Sequence, residues 1–213
     1  MLDKEAEVIA DCLRVIELDE SNHLAWFLMA KAKRTTGGQL GAIADLTKAI
    51  ALKDDFTDAY LLRAEVLLAM KQGQEALPDI EKAISLAPEE ETTYLVRGKI
   101  HESLGDLDAA ADDYQQALDL NPFNEDACIL KGSLLITKNL LDEAIVFFDE
   151  AIEIKPDFAK AYVERGRAKN LKGDKEGAFE DLKKSIELNP EGEEAKKFEG
   201  QHANFENKTY MPF

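Results

Sequence analysis

The residues able to do chemistry are few and scattered. Three histidines stand at His23, His101 and His202, and two cysteines at Cys12 and Cys128. Acidic runs occur at Glu89-Glu90-Glu91 and Asp112-Asp113. A metal centre needs several such side chains converging on one point, and these fall in separate parts of the chain. No calcium-loop spacing is present, so the acidic runs read as solvated helix and turn charges. A disulfide framework would need more cysteines in a shorter chain, so both thiols read as free and buried. Asn207-Lys208-Thr209 matches a glycosylation sequon, which has meaning only in a secreted protein. No nucleophile, base and acid converge as catalysis requires. The expectation is a non-enzymatic protein with no cofactor and no metal.

Charge excludes further classes. The chain has 213 residues, with 26 basic against 43 acidic, for a net charge of −17. Such a chain is repelled by nucleic-acid phosphates and by anionic membrane surfaces. No run of about 18 apolar residues occurs, so no membrane insertion is expected. Met1 to Ala10 carries Asp3, Glu5 and Glu7 and lacks the apolar stretch of a signal peptide. The cytoplasm is the default compartment on this reading, unless an upstream signal peptide has been removed.

What positions these side chains is a repeat. In residues 91–124, Tyr94, Arg97, Gly98 and His101 share one helical face, and Ala110, Tyr114, Ala117 and Leu118 share another. Gly105 supplies the turn between the two helices and Pro122 stops the second. The same 34-residue frame recurs without gaps from His23, Thr57, Glu91, Glu125 and Ala159. Position 4 reads Trp26, Tyr60, Tyr94, Cys128 and Tyr162; position 8 reads Ala30, Ala64, Gly98, Gly132 and Gly166. Position 20 is alanine in every frame: Ala42, Ala76, Ala110, Ala144 and Ala178. Position 27 reads Ala49, Ala83, Ala117, Ala151 and Ser185, and position 32 reads Asp54, Pro88, Pro122, Pro156 and Pro190. Small residues at 8, 20 and 27 let two helix backbones approach, and an aromatic at 4 fills the space beside them. One hairpin cannot bury its own apolar face, so the units must stack.

An aromatic at 4, Gly or Ala at 8, Ala at 20 and 27 and Pro at 32 resemble the tetratricopeptide repeat, over about residues 5–203. The resemblance implies an all-α fold, a right-handed α-solenoid of stacked antiparallel helix pairs. It also implies a function of holding peptides or protein partners. The expected organisation is a single array over 1–203, comprising a half repeat at 1–22 and full repeats at 23–56, 57–90, 91–124, 125–158 and 159–192. A capping helix is expected at about 193–203 and a tail at 204–213. The half repeat lacks its first helix, which suggests a fragment of a longer array, with an N-terminal capping helix as the alternative. Gly73 at position 17 and Pro78 at position 22 predict a longer first helix in the second repeat, with a second helix that starts late or bends.

In this family the first helices present positions 2, 5, 6, 9, 12 and 13 to ligands. Here positions 5 and 6 read Phe27-Leu28, Leu61-Leu62, Leu95-Val96, Ile129-Leu130 and Val163-Glu164, nine of ten apolar. A helix apolar on two sides is normally covered on both. The stripe therefore predicts an apolar concave groove for a partner's peptide or helix, flanked by Lys31, Arg34, Lys99 and Arg167. Packing between neighbouring first helices is the competing explanation. Charges at the six positions balance to zero in a chain of −17, so the face is selectively neutral. Some members clamp a partner's C-terminal carboxylate with asparagine and basic residues. Lys31 and Arg34 are followed here by Leu61, Leu62 and Glu65, which do not make that clamp. The second functional expectation is self-association or autoinhibition through the apolar tail, with Phe205, Tyr210, Met211 and Phe213, including a possible homodimer.

Overall fold

Each frame reverses direction at one backbone position. Position 15 adopts the left-handed conformation in all five frames, at Gly37 (φ 83°), Lys71 (φ 62°), Gly105 (φ 84°), Asn139 (φ 60°) and Gly173 (φ 94°). Glycine takes this conformation without penalty, whereas lysine there costs roughly 1–2 kcal/mol. The computed structural model of the chain describes residues 2–192. Eleven helices run through the described residues, beginning with α1 (Leu2–Leu18). Five pairs follow: α2 (His23–Thr35) with α3 (Gln39–Leu52), α4 (Thr57–Ala69) with α5 (Gly73–Leu86), α6 (Glu91–Leu104) with α7 (Leu107–Leu120), α8 (Glu125–Thr137) with α9 (Leu141–Ile154), and α10 (Ala159–Lys172) with α11 (Lys175–Leu188). Two compact units divide the chain, one ending at Leu120 and the other starting at Asn121. The expected capping helix and the tail at 204–213, with His202 and the tail aromatics, lie outside the described residues.

The expectation for the second repeat needs correction. Helix α4 has 13 residues, as α2 and α8 do, and α5 starts at Gly73, level with its counterparts. Lys71 takes the turn conformation itself, so no extra helix length is needed. Gly73 serves a different purpose: a Cβ there would stand 2.7 Å from Ser103 Oγ on α6. Pro78 lies inside α5 on an exposed position. The amide it removes deprives the carbonyl of Gln74, which is also exposed, so water can satisfy that oxygen.

Three layers of contact repeat along the chain. The small residues at positions 8, 20 and 27 are buried in all five pairs, and position 24 fills the space between them. Residue sizes at 8 and 24 are complementary in the first four pairs. Ala30 and Ala64 face Leu46 and Ile80, whereas Gly98 and Gly132 admit the fully buried rings of Tyr114 and Phe148. In three of the pairs the aromatic at position 4 ties the pair to the turn before it. Trp26 Nε1 donates to the Glu20 carbonyl at 3.1 Å, and the hydroxyls of Tyr94 and Tyr162 donate to the carbonyls of Pro88 and Pro156 at 3.0 and 3.1 Å.

The third layer is ionic. Arginine at position 7 forks onto a buried aspartate at position 23: Arg63 with Asp79, Arg97 with Asp113, and Arg165 with Asp181. The same guanidinium lies over the position-4 ring, 5.4–5.9 Å from its centre. It also reaches the preceding repeat, where Arg63 donates to Thr47 and Arg165 to Asp149. The fourth repeat replaces the whole arrangement with Lys131 over the Phe147 ring at 5.1 Å.

Candidate peptide-binding site

The predicted contact stripe divides by burial. Leu62, Leu95, Val96, Ile129 and Val163 are 1–7% exposed. For these five a direct ligand contact has to be corrected: their side chains fill packing between repeats. Leu62 belongs to a cluster with Ala30, Leu46 and Ala49 of the preceding pair, and Val96 to one with Ala64, Ile80 and Ala83. Leu62 and Val96 thus insert between both helices of the repeat before them. Position 5 lies where successive first helices meet, since α2 touches α4, α4 touches α6, and α8 touches α10.

Surface remains at the other predicted positions. Phe27, Leu61 and Leu130 are half-buried, and Leu28 is 48% exposed. Lys31, Lys99 and Arg167 are exposed. Arg34 crosses from α2 to pair with Glu65 on α4, and Arg167 lies 3.5 Å from Glu164. The Phe27 ring tilts against Phe56 at 4.9 Å, with the Lys31 ammonium 5.7 Å from its centre.

Leu28, Lys31 and Arg34 come together with Lys4, Glu5, Val8, Ala32 and Thr35 around one depression of about 250 Å³. Lys4, Glu5 and Val8 of α1 were not expected at the site. The signal for them was the half repeat: α1 precedes α2 as each second helix precedes the next pair, and the two pack together. Leu28, at position 6, is 48% exposed where Leu62 and Val96 are buried. Val8 and Leu28 supply apolar surface to the depression, and Lys4, Lys31 and Arg34 outnumber Glu5 in a chain that is otherwise strongly acidic.

The titratable groups elsewhere serve structure. Burial, with a smaller contribution from Glu150, pushes the Cys128 thiol up to about 11. Burial, then Asp11 and Asp45, also raises Cys12. Both cysteines are free and buried, and thiols held protonated are poor nucleophiles. Burial raises Asp45 as well, against the opposing pull of Lys33 at 2.6 Å. His101 places Nδ1 3.1 Å from Asp113, inside the ion-pair layer already described. Among the described residues no group of three or more His, Cys, Asp and Glu side chains is arranged to hold a metal ion. No described helix is long and apolar enough to cross a membrane.

Comparison with known proteins agrees with this architecture. Models of the tetratricopeptide repeat match residues 57–90, 95–158 and 159–191, together more than half of the chain. Among solved structures, a crystal structure of YrrB, described as a tetratricopeptide-repeat protein with an unusual peptide-binding site, is 24% identical. It covers 89% of this chain and 97% of its own, with a TM-score of 0.64. A crystal structure of MamA is 26% identical over 75% of this chain and 94% of its own, at TM-score 0.66. PilW, a type IV pilus biogenesis factor, is only 16% identical yet reaches TM-score 0.84, covering 92% of this chain and 91% of its own. No curated protein sequence matches the chain. The gap-free frame, the paired helices and these matches agree on an all-α solenoid of helix hairpins, and the chain belongs to the tetratricopeptide-repeat family.

Proposed function

We propose that the chain is a non-enzymatic interaction scaffold that holds a peptide or helix of a partner protein on the exposed face of its first helices. The observation that carries this reading is the open depression between α1 and α2, where three of the predicted contact residues meet. Leu28 and Val8 offer apolar contact there, with Phe27 and Leu61 beside them. Lys31 and Arg34 set the direction of the bound segment. Lys99 extends the polar edge of this face within the first unit, and Leu130 and Arg167 provide corresponding surface in the second. The buried Leu62, Leu95, Val96, Ile129 and Val163 contribute by fixing the helices that carry these groups. The YrrB relative, named for its peptide-binding site, supports the class of ligand.

The test is a selection of displayed peptides on the wild-type chain, followed by affinity measurement on Leu28→Asp with Lys31→Glu. Both positions are exposed, so helical circular dichroism should not change. A buried charge in place of an apolar contact and the loss of one cation should weaken binding by about 100-fold. Peptides that bind the variant equally well would refute the assignment.

A further inference from the structure

One junction departs from the repeat in three ways at once. Position 4 is aromatic in four frames, but the fourth frame has Cys128, which is buried. Position 33, in the turn before each pair, reads Ser21, Asp55, Glu89 and Asp157 at the other four junctions. Here it is Phe123, 76% exposed. Position 26 on the second helix is Lys48, Lys82 and Lys184 in three frames and Gln116 in another, whereas the fourth frame carries Glu150.

Two of these departures, Phe123 and Glu150, share one location. Pro122, Phe123, Glu150, Glu153 and Ile154 line a depression of about 740 Å³. The equivalent place at the first junction, lined by Glu20, Ser21, Trp26, Lys48, Ala51 and Leu52, holds only about 270 Å³. Trp26 is the position-4 aromatic, and it lines the smaller depression; Cys128 offers no such ring. A base has become an acid, an internal ring has been lost, and an external ring has been gained beside the enlarged space.

An exposed ring next to two carboxylates fits a cation that is flat and only weakly hydrated. Guanidinium stacks on aromatic faces and binds carboxylates through its planar fork. Glu150 and Glu153 are both exposed and form no ion pair among the described residues. The net charge of −17 would draw a basic partner toward this surface. We propose that the depression beside Phe123 binds an arginine side chain of a basic partner segment, with the guanidinium on the Phe123 ring and between Glu150 and Glu153. This does not rest on the first-helix reading, and either can fail alone.

The experiment is a titration of ¹⁵N-labelled protein with acetyl-Gly-Arg-Gly-amide, with the uncharged citrulline analogue as control. Saturable shifts should appear at Phe123 and in residues 150–154 with the arginine peptide alone. Phe123→Ala and Glu150→Gln should each weaken binding about ten-fold, the loss of one ring or carboxylate contact. Glu143→Lys, a charge reversal on the same helix α9, should leave binding nearly unchanged. Shifts spread evenly over the acidic surface, or binding indifferent to Phe123→Ala, would overturn the proposal. So would shifts at these residues that follow protein concentration without peptide, because a second copy would then fill the space.

Discussion

Replacing Asp113 by alanine is expected to destabilise the α6–α7 pair by about 3 kcal/mol, among the larger effects open to a single substitution. Asp113 is buried and accepts the fork of Arg97 at 2.6 and 2.9 Å, with His101 Nδ1 also 3.1 Å away. Removing the carboxylate strands a half-buried guanidinium without its partner. The fork bonds to Asp113 hold the Arg97 pKa above its ordinary value, although burial pulls the other way. Part of the arginine reaches water, which keeps the cost near the lower end of the range for breaking buried pairs. Denaturant unfolding followed by circular dichroism checks the size of the loss. Amide exchange checks its place, since stability in repeat arrays is largely local and residues 91–120 should lose protection first. The fourth repeat indicates the remedy. Lys131 over Phe147 replaces the arginine–aspartate pair there, so Arg97→Lys with Asp113→Phe should recover to within about 1 kcal/mol of wild type. A loss below about 0.5 kcal/mol for Asp113→Ala would show that the ion-pair layer does not hold the hairpin together.

Gly132→Ala is expected to be the second large effect. A Cβ at 132 would stand 2.5, 2.7 and 3.0 Å from three atoms of the Phe148 ring. That ring is fully buried and cannot swing aside. Overpacking of this kind costs about 3 kcal/mol, and the better helix propensity of alanine returns about 1, leaving a net loss of about 2. Phe148→Leu alone leaves a cavity costing roughly 1 kcal/mol. The double variant recreates the Ala30–Leu46 combination of the first repeat, so it should be more stable than Gly132→Ala alone. Strong positive coupling in this cycle supports size complementarity at positions 8 and 24; simple additivity contradicts it.

Most of the hairpin architecture was legible in the residues because it rests on local, repeated choices. Alanine at position 20, small residues at 8 and 27 and proline at 32 say where two helices touch and where they end. The turn was less legible in two frames. Gly73 looked like a displaced turn glycine, yet it is there because α6 approaches closely, and Lys71 bears the left-handed backbone. The face at positions 5 and 6 was the harder case. Periodicity within one helix reveals that a second apolar side exists, but not whether a neighbouring repeat or a ligand covers it. Leu62 and Val96 are covered by the preceding pair, whereas Leu28, at the equivalent position, is 48% exposed. Phe123 is illegible for the opposite reason: a single departure in a turn has no period.

Photocrosslinking tests the central claim most directly. Benzoylphenylalanine would be placed at position 28 or 31, on the open face of α2, and separately at position 146, an exposed site on α9. With a peptide selected on the wild-type chain, crosslinks should form from positions 28 and 31 and be absent from 146. Crosslinking from 146 equal to or stronger than that from 28 and 31 would contradict binding on the first-helix face.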